Sequence, residues 1–213
     1  MTTARAALRL ALGDLYRQSW RLFVLNATLA LTASAVVFAA AYYRVVVLAI
    51  VLLGPLAAGL MHCAVRVVTS EDLRLEEALV GLRLHWRRGL QVGALAAALA
   101  VLGIGAVGFY ARAHGLAWPL VFLTLYLVFL SGLFLLLLLA LAVAEPQLRL
   151  SEAASRTVVL ALLRPRAAVG LGFGLLLVNA AGLAAAVMPF LTLTVAYSFL
   201  AAARFAIPTE AAA

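Results

Sequence analysis

Three polar side chains that could bind a ligand lie within long apolar stretches of the sequence: Asn26, His62 and Asn179. An amide or an imidazole surrounded by hydrocarbon needs a hydrogen-bonding partner, because a buried polar group without one is costly. The partner can be a neighbouring helix, in which case the residue holds a helical bundle together, or it can be a bound polar solute. Both interpretations stay open for these three residues, and the structural role is favoured.

Groups that would support catalysis, ion coupling or metal binding are missing from the same stretches. All acidic residues lie outside them, at Asp14, Glu71, Asp72, Glu76, Glu77, Glu145, Glu152 and Glu210. Since ionisable residues inside the hydrocarbon usually mark ion or proton pathways, coupled transport by this chain alone is disfavoured. The sequence has no GxxxxGK[ST], GxSxG or HExxH motif, and its lone cysteine, Cys63, excludes an internal disulfide. We therefore expect no catalytic residue, no metal and no cofactor.

The composition is that of an integral membrane protein. Of the 213 residues, 67% are hydrophobic and 11% are charged, and the mean hydropathy of +1.15 excludes an ordinary water-soluble core. The net charge of +8 comes from 16 arginines and no lysine. These arginines lie in short clusters between apolar stretches, which is typical of a membrane topology signal and not of a nucleic-acid interface. The preference for Arg over Lys, with abundant Ala, Leu, Val and Gly, also fits a GC-rich bacterial genome.

The apolar stretches predict an all-α integral membrane protein with six transmembrane helices in three hairpin-like units. Together they form a single membrane domain over residues 1–213. The predicted spans are approximately 22–43, 45–65, 90–111, 118–144, 167–187 and 189–203. In the second span, Gly54-Pro55 removes a backbone donor and predicts a kink.

Three amphipathic linking helices are predicted on the cytoplasmic surface, at approximately 4–21, 71–88 and 151–164. The second has the densest charge in the chain, and an apolar stripe of Leu75, Leu79, Leu82 and Trp86 recurs along it at helical spacing. Four large apolar residues outside the hydrocarbon need to be buried against headgroups, against the ends of the spans, or against another protein. The stripe is therefore the predicted partner-facing or membrane-facing element.

The distribution of arginines predicts the orientation of the chain. The N-terminal segment, the two later linking segments and the tail carry 14 arginines, whereas the opposite loops carry two, Arg44 and Arg112. Because arginine-rich loops stay in the cytoplasm, we predict a multi-pass protein of the bacterial cytoplasmic membrane with both termini cytoplasmic. Cys63 and Arg83 are then also cytoplasmic, and Arg44 and His114 are outside.

Several short features occur together in a six-span layout. They are Trp20 and Asn26 at the start of the first span, Gly54-Pro55 in the second, and the link through Leu82, Arg87 and Arg88 into a Gly- and Ala-rich third span. In these features the chain resembles the YesL-like family of bacterial multi-pass membrane proteins of unknown function. Members of that family often look like companions of carbohydrate uptake systems. The resemblance implies an accessory role in transport, and it implies no catalytic or binding residue.

Two functions fit these observations. The first is a non-catalytic accessory or assembly partner of a transport system, with carbohydrate as the implied cargo. The alternative is a small-solute facilitator or permease with a pathway between the helical repeats. The expected partners are the lipid bilayer and either a transporter subunit or a second copy of the chain, with no nucleic acid. The lack of charge within the spans favours the first function.

Overall fold

A computed structural model describes residues 3–42, 46–70, 76–112, 118–185 and 193–207, and these are helical apart from short turns and helix ends. No strand occurs within these ranges, so the predicted all-α class is confirmed. In chain order the helices are α1 (Ala4–Arg17), α2 (Ser19–Tyr42), α3 (Val46–Ser70), α4 (Glu77–Arg112), α5 (Trp118–Ala144), α6 (Leu150–Leu163), α7 (Pro165–Ala185) and α8 (Val195–Ala206).

Four of these helices are long and apolar enough to cross a bilayer. They are α4, α5, most of α3 (Leu48–Thr69) and most of α7 (Pro165–Gly182). The pair α1 and α2, which meet at a bend of 92°, makes a fifth candidate if it counts as one broken span. Helices of this length and composition are those of a membrane-embedded protein.

The sixth predicted span, 189–203, corresponds only in part to a described helix. α8 has 12 residues and is about 18 Å long, which is shorter than the ~30 Å of hydrocarbon. The described part therefore does not cross a bilayer by itself. Residues 186–192 lie outside the described ranges.

The ends of three helices can be compared directly with the sequence prediction. α5 covers the predicted range 118–144. The predicted helix 4–21 is shorter in the structure, because the N–H of Gln18 closes α1 by donating to the carbonyl of Asp14, and α2 begins at the next residue. α6 begins one residue before the predicted start, and the carboxylate of Glu152 accepts from the backbone N–H of Arg149 at 3.0 Å.

The largest difference from the prediction concerns the linking helix at 71–88. α4 runs without interruption from Glu77 to Arg112, so residues 77–88 of the predicted surface helix and the predicted span 90–111 are parts of one helix. Residues 71–75 of the predicted surface helix lie outside the described residues. Gly89 does not end a helix. It lies against the backbone of α3 instead, where a Cβ atom would come within 2.5 Å of the Pro55 Cα.

α3 and α4 pack antiparallel over most of this shared length. Gly54 of α3 faces Gly89, and a Cβ at Gly54 would lie 2.1 Å from the Gly89 carbonyl oxygen. Further along, Gly59 faces Ala78 and Leu82. Glycines permit such close backbone approach because they have no side chain. α3 stays helical through Pro55, and the predicted kink there remains a prediction.

α4 and α5 also pack antiparallel, with Gly103 facing Val128 and Arg88 reaching the last carbonyls of α5. The register places the end of α5 level with Arg87 and Arg88. α4 therefore extends past the end of α5 by the residues that precede Arg87, about ten residues or roughly 15 Å of helix. The half of α3 that packs on these residues extends past the end of α5 with them. We call the segments 57–70 and 77–87 the α3–α4 extension.

The buried core lies at this same end of the bundle. It combines apolar side chains of α1, α3, α5 and α8. They include Ala7 and Ala11 of α1, Met61, Cys63 and Ala64 of α3, Leu137 to Val143 of α5, and Leu200 to Ala203 with Phe205 and Ala206 of α8. The outer halves of α4 and α5 instead expose many large apolar side chains, as lipid-facing helices do. Most of the arginines also belong to the end with the core, which we call the arginine-rich end.

Candidate functional site at the arginine-rich end

A cluster of ionisable side chains joins α3 to the start of α4. The Glu77 carboxylate lies 3.3 Å from His62 Nε2, and it accepts a hydrogen bond from Arg66 Nη2 at 3.4 Å. The His62 ring also lies 5.3 Å from the ring of His85, which comes two turns after Glu77 in α4. Gly81 makes room for this arrangement, since a Cβ there would come within 2.6 Å of the His62 Cβ.

His85 is the most deeply buried member of the cluster, with 2% of its surface exposed. It precedes the apolar part of α4 that begins at Leu90, so it lies outside the predicted membrane span. Burial, followed by the neighbouring His62 and Arg88, lowers the pKa of His85 to about 4. The imidazole is therefore neutral at pH 7. His85 is not among the site residues predicted from the sequence, although its spacing of four residues from both Gly81 and Gly89 places it on the helix face that packs on α3.

Arg88 connects α4 to the end of α5. Its guanidinium donates to the carbonyls of Ala142, Glu145, Pro146 and Leu148, at 3.3 Å for Glu145 and 2.8 Å for Leu148. These carbonyls belong to the last turn of α5 and the turn after it, where helical partners run out and the helix dipole is negative. Arg88 therefore caps α5 from a neighbouring helix.

A second ion pair joins residues that are far apart in the sequence. Arg204 of α8 donates to both carboxylate oxygens of Asp14 in α1, at 2.7 and 2.9 Å, and both side chains are about nine-tenths buried. The Tyr197 hydroxyl donates to the carbonyl of Leu8 at 3.0 Å in the same interface. The two contacts hold α1 against α8.

The three ligand candidates from the sequence lie on three different helices. Asn26 is fully buried in α2. His62 binds Glu77, as described above. Asn179 of α7 donates to the Leu175 carbonyl and to the Ser198 hydroxyl of α8, both at 2.8 Å, and it lines a cleft of about 380 Å³. His62 and Asn179 thus each have a partner on another helix of the bundle.

The cleft between the outer halves of α4 and α5 has a volume of about 440 Å³ and is lined mostly by Ala, Gly, Leu and Val. Its hydroxyl groups include those of Thr124 and Ser131. Thr124 donates to the carbonyl of Leu120 at 2.7 Å and Ser131 to that of Leu127 at 2.8 Å, within their own helix. These donors are therefore engaged, and the cleft suits hydrocarbon better than a polar solute.

The predicted partner-facing stripe is divided by the structure. Leu79 and Trp86 are exposed, whereas Leu82 is half-buried against Gly59 of α3. Leu75 lies outside the described residues. Two further apolar residues that the stripe did not include, Val80 and Leu84, are also exposed, with 50% and 62% of their surface accessible.

No group of three His, Cys, Asp or Glu side chains that could hold a metal ion occurs among the described residues. Cys63 is buried as a free thiol in the core. Together, the polar groups at the arginine-rich end form contacts between helices and leave an exposed apolar surface on the α3–α4 extension. Comparison with protein-family models, with curated proteins and with solved structures gives no match to this chain.

Proposed function

We propose that this chain is a non-catalytic membrane protein whose cytoplasmic end docks a subunit of a transport system. The observation that carries the proposal is the exposed apolar surface of the α3–α4 extension, which comprises Leu79, Val80, Leu84 and Trp86. Large apolar side chains outside the hydrocarbon call for burial, and a protein partner supplies it.

The length of α4 supports placing this surface outside the hydrocarbon. The helix has 36 residues and measures about 54 Å, whereas the hydrocarbon is ~30 Å thick. The segment from Leu90 to Arg112 covers that thickness with about 34 Å. Arg83, Arg87 and Arg88 then lie beyond the hydrocarbon with the apolar surface between them.

The apolar character of α3 is compatible with this placement. Its second half buries Ala58, Met61, Cys63 and Ala64 inside the protein core. Apolar side chains in a protein core need no contact with lipid, so this half of α3 can lie outside the hydrocarbon. The apolar clefts described above weigh against the facilitator alternative, which needs a polar pathway to the middle of the bilayer.

The proposed topology keeps both termini in the cytoplasm, as the sequence predicts. It differs from the six predicted spans in the second one, because the part of α3 left in the hydrocarbon, residues 46–56, is about 16 Å long and too short to cross it. The proposed cargo of the transport system is a carbohydrate, and this part rests on the resemblance to the YesL-like family. Because arginine-rich segments stay in the cytoplasm, the α3–α4 extension is proposed to lie there as well. A cytoplasmic or membrane-embedded transporter subunit can then reach it.

Cysteine labelling from the two sides of the membrane tests the orientation. In a Cys63→Ala background, Arg83→Cys is expected to react with a membrane-impermeant maleimide only after the cells are opened. Arg112→Cys, at the other end of the same helix, is the matched control and is expected to react in intact cells. Labelling of Arg83→Cys in intact cells would contradict the proposed topology.

Purification from native membranes tests the docking surface. Replacing Leu79 and Leu84 together by Glu is expected to lower the amount of co-purified transporter subunit by about tenfold. Loss of one or two apolar contacts in an interface centre is worth about this much. The melting temperature is expected to stay unchanged, because both side chains are exposed. Arg83→Gln lies between them and serves as the control for a polar change at the same place.

The milder pair Leu79→Ser with Leu84→Ser keeps the test decisive if the glutamates disturb folding. The same partners recovered with all three variants, each folded, would show that this surface does not dock a protein. Recovery of no transporter subunit with the unaltered chain would also contradict the proposal.

A further inference from the structure

One face of α1 combines arginines with large apolar side chains and remains exposed. Arg5, Arg9, Leu12 and Tyr16 recur at helical spacing, and each is exposed, with 60% of Leu12 and 85% of Tyr16 accessible. The opposite face carries small residues, of which Ala7 and Ala11 are completely buried. α1 is therefore amphipathic in an unusual sense, because its exposed face is both basic and apolar.

The protein holds this face in a defined orientation. Ala4 packs against Gly170 of α7, and Leu8 packs against Gly174 one turn further. The buried pair of Asp14 with Arg204 holds the other end of α1. The side chains of Arg5, Arg9, Leu12 and Tyr16 therefore point away from the bundle.

The bend between α1 and α2 supports a position of α1 beside the membrane surface. The two helices meet at 92°, as expected of a helix that lies along the surface followed by one that enters the membrane.

Among the described residues, no carboxylate pairs with the arginines of this face. Asp14 is the one acidic residue in the first 70 residues of the sequence, and it forms an ion pair with Arg204. No ion pair among the described residues includes Arg5 or Arg9. Two exposed guanidinium groups one turn apart match phosphate groups, since a guanidinium donates two parallel hydrogen bonds to phosphate oxygens.

We propose that this face of α1 binds the headgroups of anionic phospholipids in the leaflet at the arginine-rich end. Arg5 and Arg9 bind the lipid phosphates, and Leu12 and Tyr16 lie at the boundary with the acyl chains. The proposal is independent of the docking surface on the α3–α4 extension.

Lipid selectivity of the full chain in nanodiscs provides the test. The readout is the ratio of spin-labelled phosphatidylglycerol to spin-labelled phosphatidylcholine that the protein immobilises. Replacing Arg5 and Arg9 by Gln is expected to lower this ratio by about fivefold for each arginine, because a basic residue near an anionic surface contributes this much to binding. Arg5→Lys with Arg9→Lys keeps the charge and is expected to retain most of the selectivity.

The matched control is Arg83→Gln with Arg87→Gln on α4, which removes two exposed arginines at the same spacing. It is expected to lower the selectivity ratio by less than the Arg5 and Arg9 pair does, because Arg83 lies about 10 Å of helix before Leu90 and the attraction of an anionic surface falls with distance. An equal loss in both Gln pairs would overturn the proposal, because net charge and not α1 would then be responsible. No loss in the Arg5 and Arg9 pair would overturn it too.

Two further measurements separate membrane lipid from other anions and test the depth of the face. Inorganic phosphate added to the nanodiscs is expected not to displace the labelled phosphatidylglycerol, and displacement would indicate a site for a free anion instead. A spin label at Tyr16→Cys in a Cys63→Ala background is expected to be more accessible to oxygen than to a water-soluble nickel chelate. The reverse accessibility would place α1 in water and contradict the proposal.

Discussion

Asp14→Asn is expected to lower the free energy of unfolding by about 3–5 kcal/mol, because it leaves the buried guanidinium of Arg204 without its carboxylate. The two side chains are only 12% and 10% exposed, and both oxygens of Asp14 accept from Arg204. Removing one member of a buried pair costs far more than the pair contributes, since the remaining charge stays desolvated. Thermal unfolding of the purified protein in detergent, with and without the substitution, measures the effect.

Arg17→Gln is the matched control for this experiment. Arg17 is also in α1 but is exposed, and its loss is expected to change stability by less than about 0.5 kcal/mol. Combining Asp14→Leu with Arg204→Met removes both charges and is expected to be less harmful than either single change. If Asp14→Asn and Arg17→Gln shift the melting temperature equally, the pair does not hold α1 to α8.

Gly89→Leu is expected to cost at least about 3 kcal/mol, because the α3–α4 interface has no room for a side chain at this position. A Cβ on Gly89 would already lie 2.5 Å from the Cα and 2.7 Å from the nitrogen of Pro55. These are backbone atoms of another helix, which cannot move aside as a flexible side chain could. The yield of folded protein and its melting temperature in detergent report the effect.

Gly105→Leu is the matched control in the same helix. Nothing lies within 4 Å of a Cβ built on Gly105, so leucine fits there. Because leucine is also a better helix former than glycine, by roughly 0.8 kcal/mol, this substitution is expected to be neutral or stabilising. A Gly89→Leu protein as stable as Gly105→Leu would mean that α3 and α4 do not pack at Gly89.

The predicted stripe from Leu75 to Trp86 shows that the most apolar face of a helix is not always the face that packs in this bundle. The face of α4 that packs on α3 carries Gly81, His85, Gly89 and Gly93, and the apolar Leu79 on another face stays exposed. Where much of the surroundings is hydrocarbon, apolar area alone does not select the interface. Close approach of small residues, dispersion and hydrogen bonds decide it instead.

The sequence by itself determined the helical class, the apolar helices and the clustering of arginines at short intervals between them. These properties depend on local composition and on spacing within one helix, and so the bounds of α5 could be predicted to the residue. The positions of Asn26, His62 and Asn179 inside apolar stretches could also be read directly. Their polar groups predicted a need for partners without identifying the partners.

The tertiary structure alone decided which of these elements meet. Asp14 and Arg204 are 190 residues apart in the sequence, and nothing in either local pattern points to the other. The continuity of α4 through Gly89 likewise depends on α3, because Gly54 and Pro55 offer a backbone surface that glycine alone can approach. Local periodicity specifies a helix and its faces, whereas the pairing of faces depends on shape and on charges brought together only by the folded chain.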